Sequence, residues 1–142
     1  MDRRSFIRTG TAAAASGIIM SKSVFADSHG NKISSNKLAG GIFYTKEASG
    51  RWRKKAGSHS PIIEKTNSGV RVITGHPMQA NRHWIIKHVL LDSDFNFISE
   101  NLFDPNNDTT AVSNFTLTNN TEAVYALSVC NLHDTWVSML EV

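Results

Sequence analysis

The pair Cys130 and His133, near the carboxyl end of the chain, has the residue types and the spacing of a metal-binding turn. Cys130 is the only cysteine in the sequence. A thiolate and an imidazole three residues apart on a tight turn can both reach one metal ion. Such a pair is common by chance, but three further candidate ligands lie upstream, at His59, His76 and His83. Four imidazoles and one thiolate therefore form a candidate five-ligand set.

The chemistry of this set points to a transition metal. Neutral imidazole suits iron, copper and zinc, and a thiolate adds a soft, electron-donating ligand. Each candidate also has a distinctive neighbourhood: His59 opens His-Ser-Pro-Ile-Ile-Glu, His76 precedes Pro-Met, and His83 precedes Trp-Ile. The alternative for Cys130 is a buried, inert side chain, because cysteine is among the most buried residue types. The accompanying histidines favour metal binding over that alternative.

At these motifs the chain resembles the superoxide reductases, a family that includes neelaredoxin and the iron domain of desulfoferrodoxin. Family sequences carry His-x-Pro-x-Ile-Glu, then His-Pro-Met with a second histidine before an aromatic-Ile strand, then Cys-Asn-x-His-x-x-Trp. The resemblance covers roughly residues 41–142. It implies a non-haem iron centre (Fe2+/Fe3+) with four histidines in one plane, Cys130 beneath the iron, and a sixth position open to solvent.

The resemblance also implies an activity and partners. Superoxide would be the substrate and would be reduced by one electron to hydrogen peroxide. The electron would come from a donor protein that the sequence does not identify, and homo-oligomers are common in the family. A non-catalytic metal-binding or electron-transfer module on the same fold is the second hypothesis, because a fold and a site do not fix a function. A third is a cell-surface sandwich with scattered histidines and no metal.

The residues just before the first ligand depart from the family pattern. In the family a lysine immediately before the first histidine attracts the anionic substrate, and a glutamate one residue earlier closes onto oxidised iron. Here these positions hold Ser58 and Gly57, which favours the second hypothesis. A basic run precedes them, and we expect Lys54 or Lys55 to reach over the iron on a loop lengthened by two residues. The alternative for this basic run is a solvated face.

Two other departures concern the ligand spacing and the last turn. The family places its next ligand six residues after the histidine of His-Pro-Met, where this chain has Arg82, and His83 follows. One inserted residue accounts for the shift; His88 is the rival ligand, for which we favour a core or surface role. Asp134 stands where glycine is usual after Cys-Asn-x-His, and a positive φ there would be tolerated by aspartate at some energetic cost.

The elements that must position these residues are short strands separated by polar turns. The predicted strands are 41–45, 61–65, 70–74, 84–91, 95–103, 111–118, 123–129 and 136–142. No segment of this part of the sequence has a convincing helical period. Seven or eight strands at regular spacing indicate an antiparallel β-sandwich, and the resemblance implies the same all-β, immunoglobulin-like fold of about seven strands. We therefore predict one iron-binding domain over 38–142.

Residues 1–26 have the features of a twin-arginine export signal. Arg3 and Arg4 are followed by Ser-Phe-Ile, a mildly apolar run extends over 9–20, and Ala26 ends a small-residue cleavage site. The run is too short and too weakly apolar to span a membrane. These features predict export of the folded protein to the periplasm or another extracytoplasmic space, with 27–37 as a flexible linker. The alternative is an amphipathic helix packed on the domain.

The net charge argues against nucleic acid as a partner. The whole chain has 15 basic and 12 acidic residues, of which the predicted export signal holds four and one, so that 11 of each remain. Binding to phosphates needs a net basic face, which a neutral domain lacks. The sequence also has no Gly-x-Ser-x-Gly and no Cys–His–Asn order that would favour hydrolysis.

Overall fold

The structure is a computed structural model that describes residues 33–34 and 36–142. The predicted export signal (1–26), and residues 27–32 and 35 of the predicted linker, lie outside the described residues. A 3-10 helix (Gly50–Lys55) leads directly into a one-turn helix, α1 (Ala56–His59). Seven strands follow: β1 (Ile62–Lys65), β2 (Gly69–Thr74), β3 (Ile85–Asp92), β4 (Phe97–Leu102), β5 (Ala111–Thr116), β6 (Ala123–Cys130) and β7 (Thr135–Glu141).

These strands form two antiparallel sheets that face each other. One sheet has three strands in the order β1-β2-β5, and the other has four in the order β4-β3-β6-β7. The predicted all-β sandwich of about seven strands is confirmed, and each observed strand begins and ends within about two residues of a predicted one. Within the described residues, no helix is long and apolar enough to cross a membrane.

The core between the sheets follows from alternating side chains. In β2 the side chains of Val70 and Val72 are fully buried while Arg71 between them is exposed. This period of two is expected for a strand that covers a core with one face. Leu90 and Ala126, from the facing sheet, complete the same buried cluster. Each buried valine or leucine of this cluster contributes about 1.5–3 kcal/mol by its burial, which holds the two sheets face to face.

The segment before β1 differs from the prediction in two ways. The predicted strand at 41–45 is wrong: only Tyr44 pairs with β7, through N–H groups of Tyr44 and Val137 that donate to the carbonyls of Thr135 and Tyr44, at 2.9 and 2.8 Å. The chain bends on either side of it, where Gly40 and Gly50 have positive φ. These two glycines approach so closely that a Cβ on the second would overlap the first. Glycine is therefore required in this turn.

The second difference is that the 3-10 helix and α1 occupy 50–59, where the sequence shows no convincing helical period. Both elements are shorter than two turns of α-helix, so they contain too few residues to show a hydrophobic period. Neither has a side-chain cap at its first residue, which removes the other sequence signal for a helix. This helical segment, and not an extended loop, leads the chain to His59.

Candidate metal centre

Five side chains converge at one end of the sandwich. Their candidate ligand atoms, one from each residue, all lie within 4.8 Å of one another. The five residues are His59, His76, His83, Cys130 and His133. The structure thus brings together the complete ligand set expected from the sequence. His59, His76 and Cys130 are buried, whereas His83 and His133 are half-buried, so the cluster is accessible from the side of these two imidazoles.

Strand pairing explains this convergence. In the β1–β2 pair Ile62 lies opposite Ile73, so the segment that precedes β1 and the segment that follows β2 start side by side; their His59 and His76 rings lie 4.4 Å apart between centroids. In the β3–β6 pair Ile85 lies opposite Cys130, which places His83 beside the turn that leads to His133. An irregularity in this pair lies between Ile85 and Lys87. Bulges of this kind bend a strand and redirect side chains, here directly beside the cluster.

The distances between the ligand atoms fit a metal ion at their centre. His133 Nδ1 lies 2.9 Å from the Nε2 atoms of both His59 and His83, and His83 Nε2 lies 2.9 Å from Nε2 of His76. Nitrogens at the corners of a square with this edge lie about 2.1 Å from its centre, which is a typical metal–imidazole distance. Hydrogen bonds alone do not explain such a cluster, because a neutral imidazole has one donor and one acceptor.

The sulfur position agrees with the same centre. A thiolate on the axis of that square, about 2.3 Å from the centre, would lie about 3.1 Å from each nitrogen. Cys130 Sγ is 3.2 Å from His83 Nε2 and 3.7 Å from His133 Nδ1. The donor set of four imidazoles and one sulfur is also chemically suited to iron. The residues present therefore fit the metal that the sequence predicts.

The second ring nitrogen of two ligands is fixed by the backbone. His59 Nδ1 lies 3.1 Å from the carbonyl oxygen of Lys55, and His76 Nδ1 lies 2.6 Å from that of Pro77. A carbonyl oxygen only accepts, so Nδ1 carries the proton and Nε2 is left with the lone pair that binds a metal. Bonds of this type orient the imidazole and raise its basicity as a ligand.

Asn131 holds the chain around His83. Its side-chain oxygen accepts the N–H of Trp84 at 3.0 Å, and its side-chain nitrogen donates to the carbonyl of Arg82 at 3.1 Å. The backbone N–H of Asn131 also donates to the Trp84 carbonyl, at 3.2 Å. The residues on both sides of His83 are therefore fixed to the turn that carries Cys130. No role was predicted for Asn131 from the sequence, although its place between two ligands in Cys-Asn-Leu-His was a signal.

In the absence of a metal, burial favours neutral imidazoles and a protonated thiol in the cluster. It lowers the pKa of His59 to about 3 and that of His76 to about 4, with further lowering by the neighbouring imidazoles. These rings are neutral and ready to bind a cation. Burial raises the pKa of the Cys130 thiol, against the opposing effect of the Leu132 N–H, which lies 3.5 Å from the sulfur. A bound metal stabilises the thiolate and releases its proton.

Of the two lysines predicted to act on the substrate, Lys55 is the one beside the cluster. The pKa values of His76, His83 and His133 are lowered by burial and, to a smaller extent, by the positive charge of Lys55. Lys54 makes no such contribution. Lys55 is also half-buried at the end of the 3-10 helix, whereas Lys54 is exposed.

The two positions that replace the family's glutamate and lysine lie in α1. The Ser58 hydroxyl lies 2.8 Å from His59 Nδ1 and donates to the Lys55 carbonyl at 3.3 Å. It therefore supports the ligand from behind. Apart from its chain neighbours and the backbone of α1, no atom lies within 4 Å of the position where Gly57 would carry a Cβ. The absence of a side chain at Gly57 is therefore not imposed by packing.

His88, the rival ligand, is not part of the cluster. Its side chain is fully buried between the sheets. Its Nε2 lies 2.9 Å from the hydroxyl of Thr74 and its Nδ1 lies 2.9 Å from the hydroxyl of Ser113. Both ring nitrogens are thus occupied, and His83 takes the place at the cluster that one inserted residue predicts.

Known proteins agree with this fold and site. The family model described as Desulfoferrodoxin matches residues 50–139, which include all five converging residues. No curated protein sequence matches the chain significantly.

Solved structures of superoxide reductases are similar to this chain. One is a superoxide reductase (neelaredoxin) from Ignicoccus hospitalis, with 28% identity, 71% of this chain and 94% of that chain covered, and a TM-score of 0.56. A second structure under that name and organism has 27% identity, coverage of 71% and 93%, and a TM-score of 0.59. The superoxide reductase (1Fe-SOR) from Giardia intestinalis has 20% identity, coverage of 60% and 98%, and a TM-score of 0.53, a likeness of fold alone.

Proposed function

This chain belongs to the desulfoferrodoxin family, and from that premise we propose that it is a superoxide reductase with a non-haem iron centre. The observation that carries this proposal is the convergence of four imidazoles and one sulfur within 4.8 Å, with one side accessible to solvent. Iron bound there would supply one electron to superoxide, which with two protons gives hydrogen peroxide.

Each residue of the cluster has a distinct part in holding the iron. His59, His76 and His83 would bind through Nε2 and His133 through Nδ1, as their mutual distances require. Cys130 would supply a negatively charged, electron-donating sulfur, the same property that a cysteine ligand gives to a haem enzyme. The N–H of Leu132 directed at this sulfur withdraws part of that electron density and so adjusts the potential of the centre.

We propose that Lys55 attracts the substrate. Superoxide is an anion, and a positive charge at the mouth of a site raises the rate at which an anion is captured. The electrostatic effect of Lys55 on three of the imidazoles supports its place beside the accessible face. In this proposal Lys54, which is exposed, makes at most a long-range contribution that salt screens.

We propose from the sequence that the protein is exported, and from the proposed reaction that it needs an electron donor. The order of paired arginines, an apolar run and a small-residue site in 1–26 supports export by the twin-arginine route to an extracytoplasmic compartment. A donor protein must re-reduce the iron after each turnover. To test export, the Arg3→Lys/Arg4→Lys precursor should remain in the cytoplasm; normal processing of that variant would rule out this route.

A non-catalytic electron-transfer module is the second candidate, favoured by Gly57 and Ser58 in place of the family's glutamate and lysine. Two measurements separate the candidates. Elemental analysis of protein purified from its own compartment should find about one iron per chain. The ferrous protein, mixed with pulse-generated superoxide, should then be oxidised with formation of hydrogen peroxide in equal amount. Iron without any reaction would favour the module.

A further inference from the structure

Asp134, the residue after the ligand His133, combines an unfavourable backbone conformation with strong side-chain contacts. Its φ is +61°, in the left-handed region that favours glycine. One carboxylate oxygen, Oδ2, accepts both the indole N–H of Trp52 at 2.8 Å and a guanidinium N–H of Arg51 at 2.5 Å. The backbone carbonyl of Asp134 accepts the N–H of Cys130 at 3.0 Å. Asp134 therefore links the turn that carries two ligands to the 3-10 helix.

The partner Trp52 lies against a ligand. Its ring packs edge-on against the His133 imidazole, with 4.6 Å between the ring centroids and 79° between the planes. The backbone of His133 is held by Trp136, whose indole N–H donates to the His133 carbonyl at 2.9 Å. The rings of His59 and His83 also lie edge-on to His133, so Trp52 is the contact that limits this ring from outside the ligand set. The carboxylate of Asp134, by its hydrogen bond, holds the Trp52 ring in place.

The partner Arg51 fastens the same contact to the core. Its guanidinium lies over the Trp52 ring, 4.9 Å from the centroid, and its Nε–H donates to the Tyr44 hydroxyl at 3.1 Å. Tyr44 is buried against Trp136. The side chains of Arg51 and Asp134 are 65% and 39% exposed, and an ion pair this exposed contributes little to stability. The ion pair therefore acts by holding Arg51, and with it Trp52, in place rather than by adding to the free energy of folding.

We propose that Asp134 is a positioning residue for this site: its carboxylate clamps Trp52 and Arg51 onto the ligand turn, which fixes the plane of the His133 ring and the place of Lys55. Lys55 is included because it ends the same 3-10 helix that begins at Gly50. The inference rests on the proposed metal site, but not on superoxide being the substrate.

Three substitutions at this position separate the clamp from a role in the backbone. Asp134→Ala removes the carboxylate. Asp134→Gly removes it too, but also relieves the cost of a positive φ. Asp134→Asn keeps an oxygen that can accept the Trp52 N–H while the charge is lost. A purely structural role predicts that glycine is the best replacement, whereas the clamp predicts that asparagine is.

The first measurement uses metal-free protein and follows hydrogen exchange at Trp52 Nε1–H by NMR. We expect exchange to be about tenfold faster in Asp134→Ala and Asp134→Gly, because the acceptor of the hydrogen bond is lost. In Asp134→Asn the rate should lie between these values, because a neutral acceptor remains. Arg53→Ala, on the same 3-10 helix, is the matched control and should leave this rate unchanged. Equal exchange rates in Asp134→Gly and the unmodified protein would overturn the proposal.

The second measurement reports on His133 through a metal. Cobalt(II)-loaded protein should show shifted and broadened ligand-field bands in Asp134→Gly, with the bands restored in Asp134→Asn, while urea unfolding finds Asp134→Gly at least as stable as the parent. Unshifted bands in Asp134→Gly, or identical shifts in Asp134→Gly and Asp134→Asn, would refute the clamp. Neither readout requires superoxide, so failure of the proposed activity would be seen separately.

Discussion

Acid should destabilise this protein through His88, a buried histidine outside the metal cluster. The side chain is fully buried, with Phe103 edge-on against its ring. Its hydrogen-bond partners are the hydroxyls of Thr74 and Ser113, at 2.9 Å each, and neither can carry a compensating negative charge. Burial therefore lowers the pKa of His88 from 6.5 to about 4.

The sign and size of the effect follow from this difference in pKa. Between pH 6.5 and 4 the unfolded chain binds a proton at His88 that the folded chain does not, so acid favours the unfolded state. The free energy of unfolding that neutral His88 contributes is fully present above pH 6.5 and is lost as the pH falls toward 4. A difference of two to three pKa units corresponds to about 3 kcal/mol in total, of which about 2 kcal/mol disappears between pH 6.5 and 5.

The assay compares urea unfolding of the unmodified protein and His88→Gln at pH 7.5, 6 and 5. Glutamine keeps polar atoms near the two hydroxyls but does not titrate. Both proteins are measured with a chelator, so that release of metal in acid affects neither curve. The free energy of unfolding of the unmodified protein should fall by about 2 kcal/mol more than that of His88→Gln between pH 7.5 and 5. Parallel curves would show that His88 is protonated in the folded core, contrary to the reasoning.

Other predictions concern the cluster and its rim. Loss of His83 in His83→Ala should reduce bound iron well below one per chain, whereas His88→Gln should retain it; equal loss in both would return the ligand assignment to His88. Lys55→Ala should slow capture of superoxide by about tenfold at low salt and flatten its dependence on ionic strength, with Lys54→Ala as the control that changes little. Gly57→Ala should raise the free energy of unfolding by about 0.4–1 kcal/mol, since the site has room for a methyl group; a loss of stability in urea unfolding would disprove this.

The sequence predicts those parts of the structure that depend on patterns among neighbouring residues. Strands such as β2, with Val70 and Val72 inside and Arg71 outside, carry their own period of two. Two of the ligands, His59 and His76, flank a single hairpin whose turn is marked by Asn-Ser-Gly, so their approach also follows from a local register. The all-β fold was predictable for this reason, and the ligand set was predictable because its five members stand in short motifs that resemble those of a known family.

The arrangement of Arg51, Trp52 and Asp134 around the cluster was not predictable, because it depends on contacts between residues far apart in the sequence. The bond from Arg51 to Asp134 joins residues 83 positions apart, and the N–H of Trp52 meets the same carboxylate. Only the packing of the 3-10 helix against the ligand turn brings them together. Arg51 belongs, with Arg53, Lys54 and Lys55, to the basic run before the first ligand. In the structure its charge is paired with Asp134.

This pairing also bears on which of the two lysines lies beside the cluster. With Arg51 bound to Asp134, the 3-10 helix is held at its first turn, and its last residue is Lys55. The carbonyl of Lys55 accepts a hydrogen bond from the Nδ1–H of His59, so the residue that we propose attracts the substrate also orients a candidate ligand. A basic run read from the sequence contains four similar cations. The helix leaves Lys54 exposed and places Lys55 half-buried at its end, a difference that the sequence alone does not show.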